Sequence, residues 1–179
     1  MMGKGESERG ATLVEAALVL PIMIMLMISL LELGMAFRDL LTVSYTAREA
    51  ARVGSLAGND PEADCDIVQS VVTAFGPTEV TGVDILIFKA SESTGNPEVG
   101  KTNTWRLSTG DPTDCGDWTV LEQWPSTTRQ VNVNDTLELD ILGVSIVTEH
   151  DWITGLPPWR GTMDLTRTAL QRLEPEAFE

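Results

Sequence analysis

The stretch from Ala11 to Leu31, ATLVEAALVLPIMIMLMISLL, carries a single charged residue, Glu15. Its 21 residues would rise about 31 Å as a helix, close to the hydrocarbon thickness of a bilayer. A helix packed inside a soluble protein seldom stays apolar on every face for this long. Residues 11–31 therefore read as a transmembrane helix, and residues 1–10, MMGKGESERG, as a polar leader. A secretory signal peptide is the competing reading. It would have a shorter apolar run that ends at a small-residue cleavage site, whereas here the helical pattern goes on.

Residues 32–57 continue the same helix. Leu33, Phe37, Leu40, Leu41 and Ser44 fall near helical spacing, and Ala47, Ala51, Gly54 and Gly58 form a stripe of small residues. Small side chains let a helix approach a sheet or another helix closely. Arg38, Arg48, Glu49 and Arg52 supply polar faces, and the first helix breaker is Gly58-Asn59-Asp60-Pro61. A helix over 11–57 would be about 70 Å long, with lipid around its first half and a folded head against its second. Two residues depart from the apolar pattern. Pro21 has no N–H and is expected to loosen the helix near Ala17. A carboxylate in a membrane costs about 2.5–3.5 kcal/mol on insertion scales, so Glu15 either has a partner or lies near the headgroups.

The formal net charge is -15. Residues 1–55 hold five Lys/Arg and six Asp/Glu, leaving seven and twenty-one for the rest of the chain. A head this acidic repels nucleic acid. Basic residues lie on both sides of the apolar run, so their distribution does not orient it. The two cysteines, Cys65 and Cys115, fall in the acidic part, and a pair of cysteines in an exported domain points to one disulfide. Acidity and cysteines together favour a head outside the membrane and an N-terminus in the cytoplasm.

The head, residues 58–179, reads as α+β. Asp60-Pro61-Glu62 opens a helix; Ile67, Val68, Val71, Val72 and Phe75 share a face, and Gly76-Pro77 closes it. Val83, Ile85 and Ile87 alternate with Asp84, Leu86 and Phe88 as a strand covered on both sides. Residues 91–117 are rich in loop formers and read as a long loop, with room for a short strand near Trp105. Thr119–Gln123 is a short strand. Leu137, Leu139 and Ile141 alternate, then Val144, Ile146 and Thr148 in the opposite phase, which reads as a turn or bulge at Leu142-Gly143. Thr162–Leu173 is the last strand. The expected architecture is a long helix, a short helix and an antiparallel sheet of about four strands.

The run Glu8-Arg9-Gly10-Ala11-Thr12-Leu13-Val14-Glu15-Ala16-Ala17-Leu18-Val19-Leu20-Pro21, then Glu32-Leu33-Gly34 and Ala47-Arg48-Glu49-Ala50-Ala51-Arg52, resembles the TadE-like proteins of the tight-adherence (Tad/Flp, type IVc) pilus system. Leu170-Gln171-Arg172-Leu173-Glu174-Pro175 is similar, more weakly, to the family's final strand. The resemblance implies a pilin-like fold and a structural role as a minor pseudopilin. It implies cleavage by a prepilin peptidase between Gly10 and Ala11, and a role for Glu15 and Pro21 in subunit assembly. Implied partners are membrane lipid, the peptidase, other pilins and pseudopilins, and the Tad assembly platform. Ala16 stands where many substrates of that peptidase carry an aromatic residue.

No Gly-x-Ser-x-Gly segment, phosphate loop or metal-binding histidine pair appears. We therefore expect no enzyme activity, no cofactor, no metal and no small-molecule substrate. His150, the one histidine, reads as structural. Asp60, Glu62, Asp64 and Asp66 resemble the start of a calcium loop but lack its glycine at position six and its acid at position twelve; helix capping accounts for them better. Asp111, Asp114 and Asp117 around Cys115 are an equally weak cation signal. All five tryptophans follow residue 100: Trp105, Trp118, Trp124, Trp152 and Trp159. Core packing is the default for them. The segment Asp151-Trp152-Ile153-Thr154-Gly155-Leu156-Pro157-Pro158-Trp159 is the best candidate for an exposed apolar tip, with Trp152 and Trp159 as interface residues. Beside the pseudopilin stand two other readings: an uncleaved single-pass membrane protein whose head binds a partner or cell-surface component, and, less favoured, an exported enzyme.

Overall fold

A computed structural model describes residues 4–76, 82–107, 110–131, 139–155, 157 and 159–174, with side chains from Thr12 onward. Pro77, Leu137, Leu156, Pro158 and Pro175, named above, lie outside the described residues. Helix α1 spans Lys4–Ala57 and α2 spans Ala63–Phe75. Strands β1 (Asp84–Ala90), β2 (Pro97–Leu107), β3 (Trp118–Leu121), β4 (Ile141–Asp151) and β5 (Thr162–Arg172) form one antiparallel sheet in the order β3-β2-β1-β4-β5. The fold is α+β.

Helix α1 begins at Lys4, ahead of the expected start at residue 11. Once a long helix exists, extending it is cheap, and Lys4, Glu6, Glu8 and Arg9 are good helix formers. It runs through Pro21 as one continuous helix. It ends where Gly58 turns left-handed, at φ 58°, a conformation glycine adopts without a Cβ penalty.

The chain divides into two units, Met1–Arg38 with Asp151–Gly161, and Asp39–His150 with Thr162–Glu179. In the second, Val43, Ala47, Ala50 and Ala51 of α1 join Ile67, Val68, Val71 and Val72 of α2 over one face of the sheet. That face presents Ile85 and Ile87 of β1, Leu142, Val144 and Ile146 of β4, and Leu165 of β5. The stripe of small residues faces this core. At Gly54 a Cβ would fall 2.4 Å from Leu142 and 2.5 Å from Ile67, so α1, α2 and β4 meet there only because the side chain is absent.

The sheet has five strands, one more than expected, because β2 occupies eleven residues of the stretch read as loop. Its backbone pairs with β1 from Asp84–Arg106 to Ala90–Pro97, with an irregularity between Phe88 and Ala90. Pairing with a strand buried in the core overrides the weak strand preference of Gly100, Lys101 and Asn103. No turn or bulge occurs at Leu142-Gly143. Leu142 pairs with Lys89 and Gly143 with Phe88 in regular register. The glycine serves side-chain packing instead, since a Cβ there would lie 2.3 Å from the Phe88 ring. The second face of β1 is only partly covered: Phe88 is buried, whereas Asp84 and Leu86 are half-buried, and Asp84 is bridged by the neighbouring Arg106.

Buried polar groups hold the rest of this unit. Asp64 in α2 takes an ion pair from Arg129 and a 2.7 Å hydrogen bond from Asn103. Asn103 also accepts from the backbone N–H groups of Gln123 and Trp124, and Arg129 stacks 4.7 Å from the Trp124 ring centre. Asp64, part of the acidic run resembling a calcium loop, is thus turned inward as a structural anion. His150 is buried, its Nδ1 2.6 Å from Asp39 Oδ2. Lys89 bonds Asp140 at 2.8 Å, and that hydrogen bond holds the ammonium above the usual lysine range. The backbone N–H of Glu174 donates to Ser55 O, tying the end of the chain to α1.

Cys65 and Cys115 are joined, with Cα atoms 5.8 Å apart. Asp111, Asp114 and Asp117 shape the loop at Cys115: their carboxylates accept from the backbone N–H groups of Thr113, Gly116 and Asp111. Gln69 of α2 reaches across to Thr113 O.

Gly54→Val is expected to lower the melting temperature of the full chain, because overpacking costs about 1–3 kcal/mol and outweighs the gain in helix propensity. Gly34→Ala is the control, since its new Cβ meets nothing within 4 Å; an equal melt for both variants would show that α1 is loosely held at Gly54. Non-reducing peptide mapping of protein from native membranes should recover the Cys65–Cys115 pair. Its reduction should destabilise the head by about 4 kcal/mol in the chain-entropy account of a fifty-residue loop. Two freely alkylatable thiols in that material would contradict the bond and the expectation of an exported head.

Candidate functional site

The side chains of residues 12–27 are exposed without exception. Within Thr12–Ala57, the most apolar window has a mean hydropathy of 2.5 and none of it is buried. This helix is long and apolar enough to cross a membrane. Gly10 and Ala11 are helical in backbone. Glu15 points outward one turn into the apolar run, and no ion pair reaches it among the described residues. Pro21 is exposed on the same helix, so Gly10, Ala11, Glu15 and Pro21 are ordered along α1 within three turns.

At the other end of the apolar run the geometry changes. Glu32 is 2% exposed, buried beneath the segment Asp151–Gly161. Its carboxylate accepts from the backbone N–H of Thr154 at 2.6 Å and of Ile153 at 3.1 Å. One turn earlier, Ser29 Oγ donates to Met25 O and lies 3.2 Å from the Trp159 indole nitrogen, which donates to it. The Trp159 and Trp152 rings are 4.7 Å apart at their centres and inclined by 44°. A helix carboxylate and a helix hydroxyl thus hold a loop that carries two indoles packed at a tilt. Trp152 and Trp159, named from sequence as interface candidates, are brought together. Trp118 and Trp124 are buried in the other unit, and Trp105 is half-buried against its core.

Glu32 and Ser29 are the residues that sequence reasoning missed. The signal for Glu32 was available: it is the first charge after the apolar run, in the same situation as Glu15. Its partners were not, because they are backbone groups 121 and 122 residues away.

Residues 10–52 match the family model described as TadE-like protein. This segment is TadE-like. It covers the whole apolar run and ends inside α1, so that α2 and the sheet lie beyond it. The match is consistent with a protein of the Tad pilus system. No curated protein and no solved structure matches the chain. The TadE-like segment contains Gly10, Ala11, Glu15, Pro21, Ser29 and Glu32, whereas both cysteines, Trp152 and Trp159 lie outside it. Within it, Arg52 bonds Glu49 at 2.7 Å and holds that carboxyl below its usual range. Both side chains are exposed, so the pair adds little stability.

Glu32→Leu should leave the N–H groups of Ile153 and Thr154 without their acceptor. Hydrogen bonds to a charged group are worth about 1.5–3 kcal/mol. Hydrogen exchange across residues 151–161 is then expected to quicken by about tenfold or more, and Glu32→Gln, which keeps an acceptor oxygen, should recover part of the protection. Unchanged exchange in Glu32→Leu would show that the loop holds itself.

Proposed function

We propose that this protein is a membrane-anchored minor pseudopilin with a structural role in the assembly of a Tad/Flp-type adhesive pilus. The observation that carries the reading is where the TadE-like segment lies. It occupies one helix whose apolar run is exposed over residues 12–27, and the same helix enters the core of an α+β head from Val43 on. A pilus subunit needs both properties: lipid solubility before assembly and a head that stays folded after it. In this reading the N-terminus is cytoplasmic, the head is extracytoplasmic and the chain crosses the membrane once.

Its partners are lipid, a prepilin peptidase, other pilins and pseudopilins, and the Tad assembly platform. Leu41 and Tyr45, exposed and four residues apart on α1, supply apolar surface for a neighbouring helix. Catalysis, cofactors, small-molecule substrates and nucleic acid have no part in this reading, and the acidity of the head supports the last exclusion.

Cutting between Gly10 and Ala11 creates an ammonium on Ala11, one helical turn from Glu15. In an assembled filament Glu15 meets the ammonium of a neighbouring subunit. The cation offsets the cost of a carboxylate in lipid and fixes the axial register of docking. With the matching peptidase present, the mature N-terminus is expected at Ala11, and bulky substitutions at Gly10 should leave the leader attached, as read by N-terminal mass. Glu15→Leu should insert in the membrane yet fail to assemble with pilin partners. A native protein that keeps Met1 or Met2 while pili form would replace the pseudopilin with the uncleaved single-pass anchor, whose head binds a partner or cell-surface component. Normal assembly of Glu15→Leu would reduce Glu15 to a headgroup-level residue.

A further inference from the structure

The segment Asp151–Gly161 is held to α1 at one depth. Ser29 and Glu32 are its attachment points, and they bracket Leu31, the last residue of the apolar run. Twenty helical residues from Thr12 to Leu31 rise about 30 Å, so a bilayer that covers this run has its headgroup boundary at the level of these attachments. Two indoles sit there, half-buried against each other, and Trp159 uses its polar edge on Ser29. Indoles concentrate at the headgroup level of membranes because one side chain combines an apolar body with a polar N–H. Beside them Ile153 is 63% exposed, and Gly155 turns the chain at φ 58°. Asp151 and Arg160 flank the tip with opposite charges, so surface potential neither draws it to lipid nor drives it off.

We infer that the Asp151–Gly161 tip is a second membrane contact, with Trp152 and Trp159 seated at the headgroup boundary of the leaflet where α1 leaves the bilayer and Ile153 dipping into its acyl edge. The inference rests on the reading of residues 11–31 as the membrane span. The occupant is lipid rather than a second protein because the tip's depth is set by two residues at the end of that span. The burial of Glu32 follows the same logic. A carboxylate at the edge of lipid is costly when bare, and here two backbone N–H groups shield it.

The test uses the full chain in phosphatidylcholine vesicles. Because both native cysteines are in a disulfide, single cysteines can be labelled selectively with an environment-sensitive fluorophore. Ile153→Cys reports on the tip, and Thr154→Cys is a second reporter should the first perturb folding. Met23→Cys reports on mid-span, and Val99→Cys, whose native side chain is fully exposed on β2 at 102%, reports on water. Lipids carrying quenchers at shallow and deep acyl positions are compared with aqueous iodide. Labels at 153 or 154 are expected to be quenched by the shallow lipid and to lose iodide quenching relative to 99, while the label at 23 is quenched by the deep lipid. Deep quenching at 23 with iodide quenching at 153 and 154 equal to that at 99 would overturn the inference and leave the anchor intact. So would deep quenching at 23 with labels at 153 and 154 shielded from lipid and iodide alike, which would mean a protein contact. Loss of lipid quenching at 23 would remove the spanning reading, and the inference with it.

Discussion

One helix carries two surfaces, a run apolar enough to cross a membrane and a stretch that packs into a protein core. From Thr12 to Leu31 every residue but Glu15 suits hydrocarbon, and from Val43 every buried position suits close packing against protein. The change takes place within three turns, and the side chains shrink as it does: leucine, isoleucine and methionine give way to alanine and glycine. The head follows from that change. Alanines at 47, 50 and 51 and a glycine at 54 bring the α1 backbone near enough for α2 and β4 to close around it, and the strands then supply the bulk that α1 lacks. A larger residue at 54 would push apart three elements at once, since Ile67 and Leu142 both lie where its Cβ would be.

Most of the helical plan was legible in the sequence because it rests on local signals. The uninterrupted apolar run, the small-residue stripe and the Gly58 and Gly76 stops need no knowledge of distant partners. The central strand β1 and the last strand were legible for the same reason, through alternation. Strand β2 was not. Its residues carry loop-like chemistry, and what makes them a strand is the row of hydrogen-bonding groups offered by β1. Gly143 misled for a related reason: a glycine between two phases of alternation reads as a chain reversal, yet here it makes room for the ring of Phe88 on the next strand.

The cysteine pairing was legible because a chain with two cysteines leaves one choice of partner. The buried set of Asp64, Asn103 and Arg129 was not, because each of these residues is common on surfaces and only the fold turns them inward. Sequence also singled out Trp152 and Trp159 as a pair but not what holds their segment. Glu32 acts on backbone amides, which have no identity in sequence, so no pattern of residue types could have named its partners.

The disulfide has a mechanical consequence. A chain held by α1 and pulled from the far side of its head bears tension along its covalent path. That path reaches Cys65 soon after α1 ends and crosses directly to Cys115. The fifty-residue loop it closes includes most of α2, all of β1 and all of β2, and none of that chain carries load while the bond holds. About 170 Å of extended length is withheld from any stretch, and the two strands at the middle of the sheet's β3 side are taken out of the line of force.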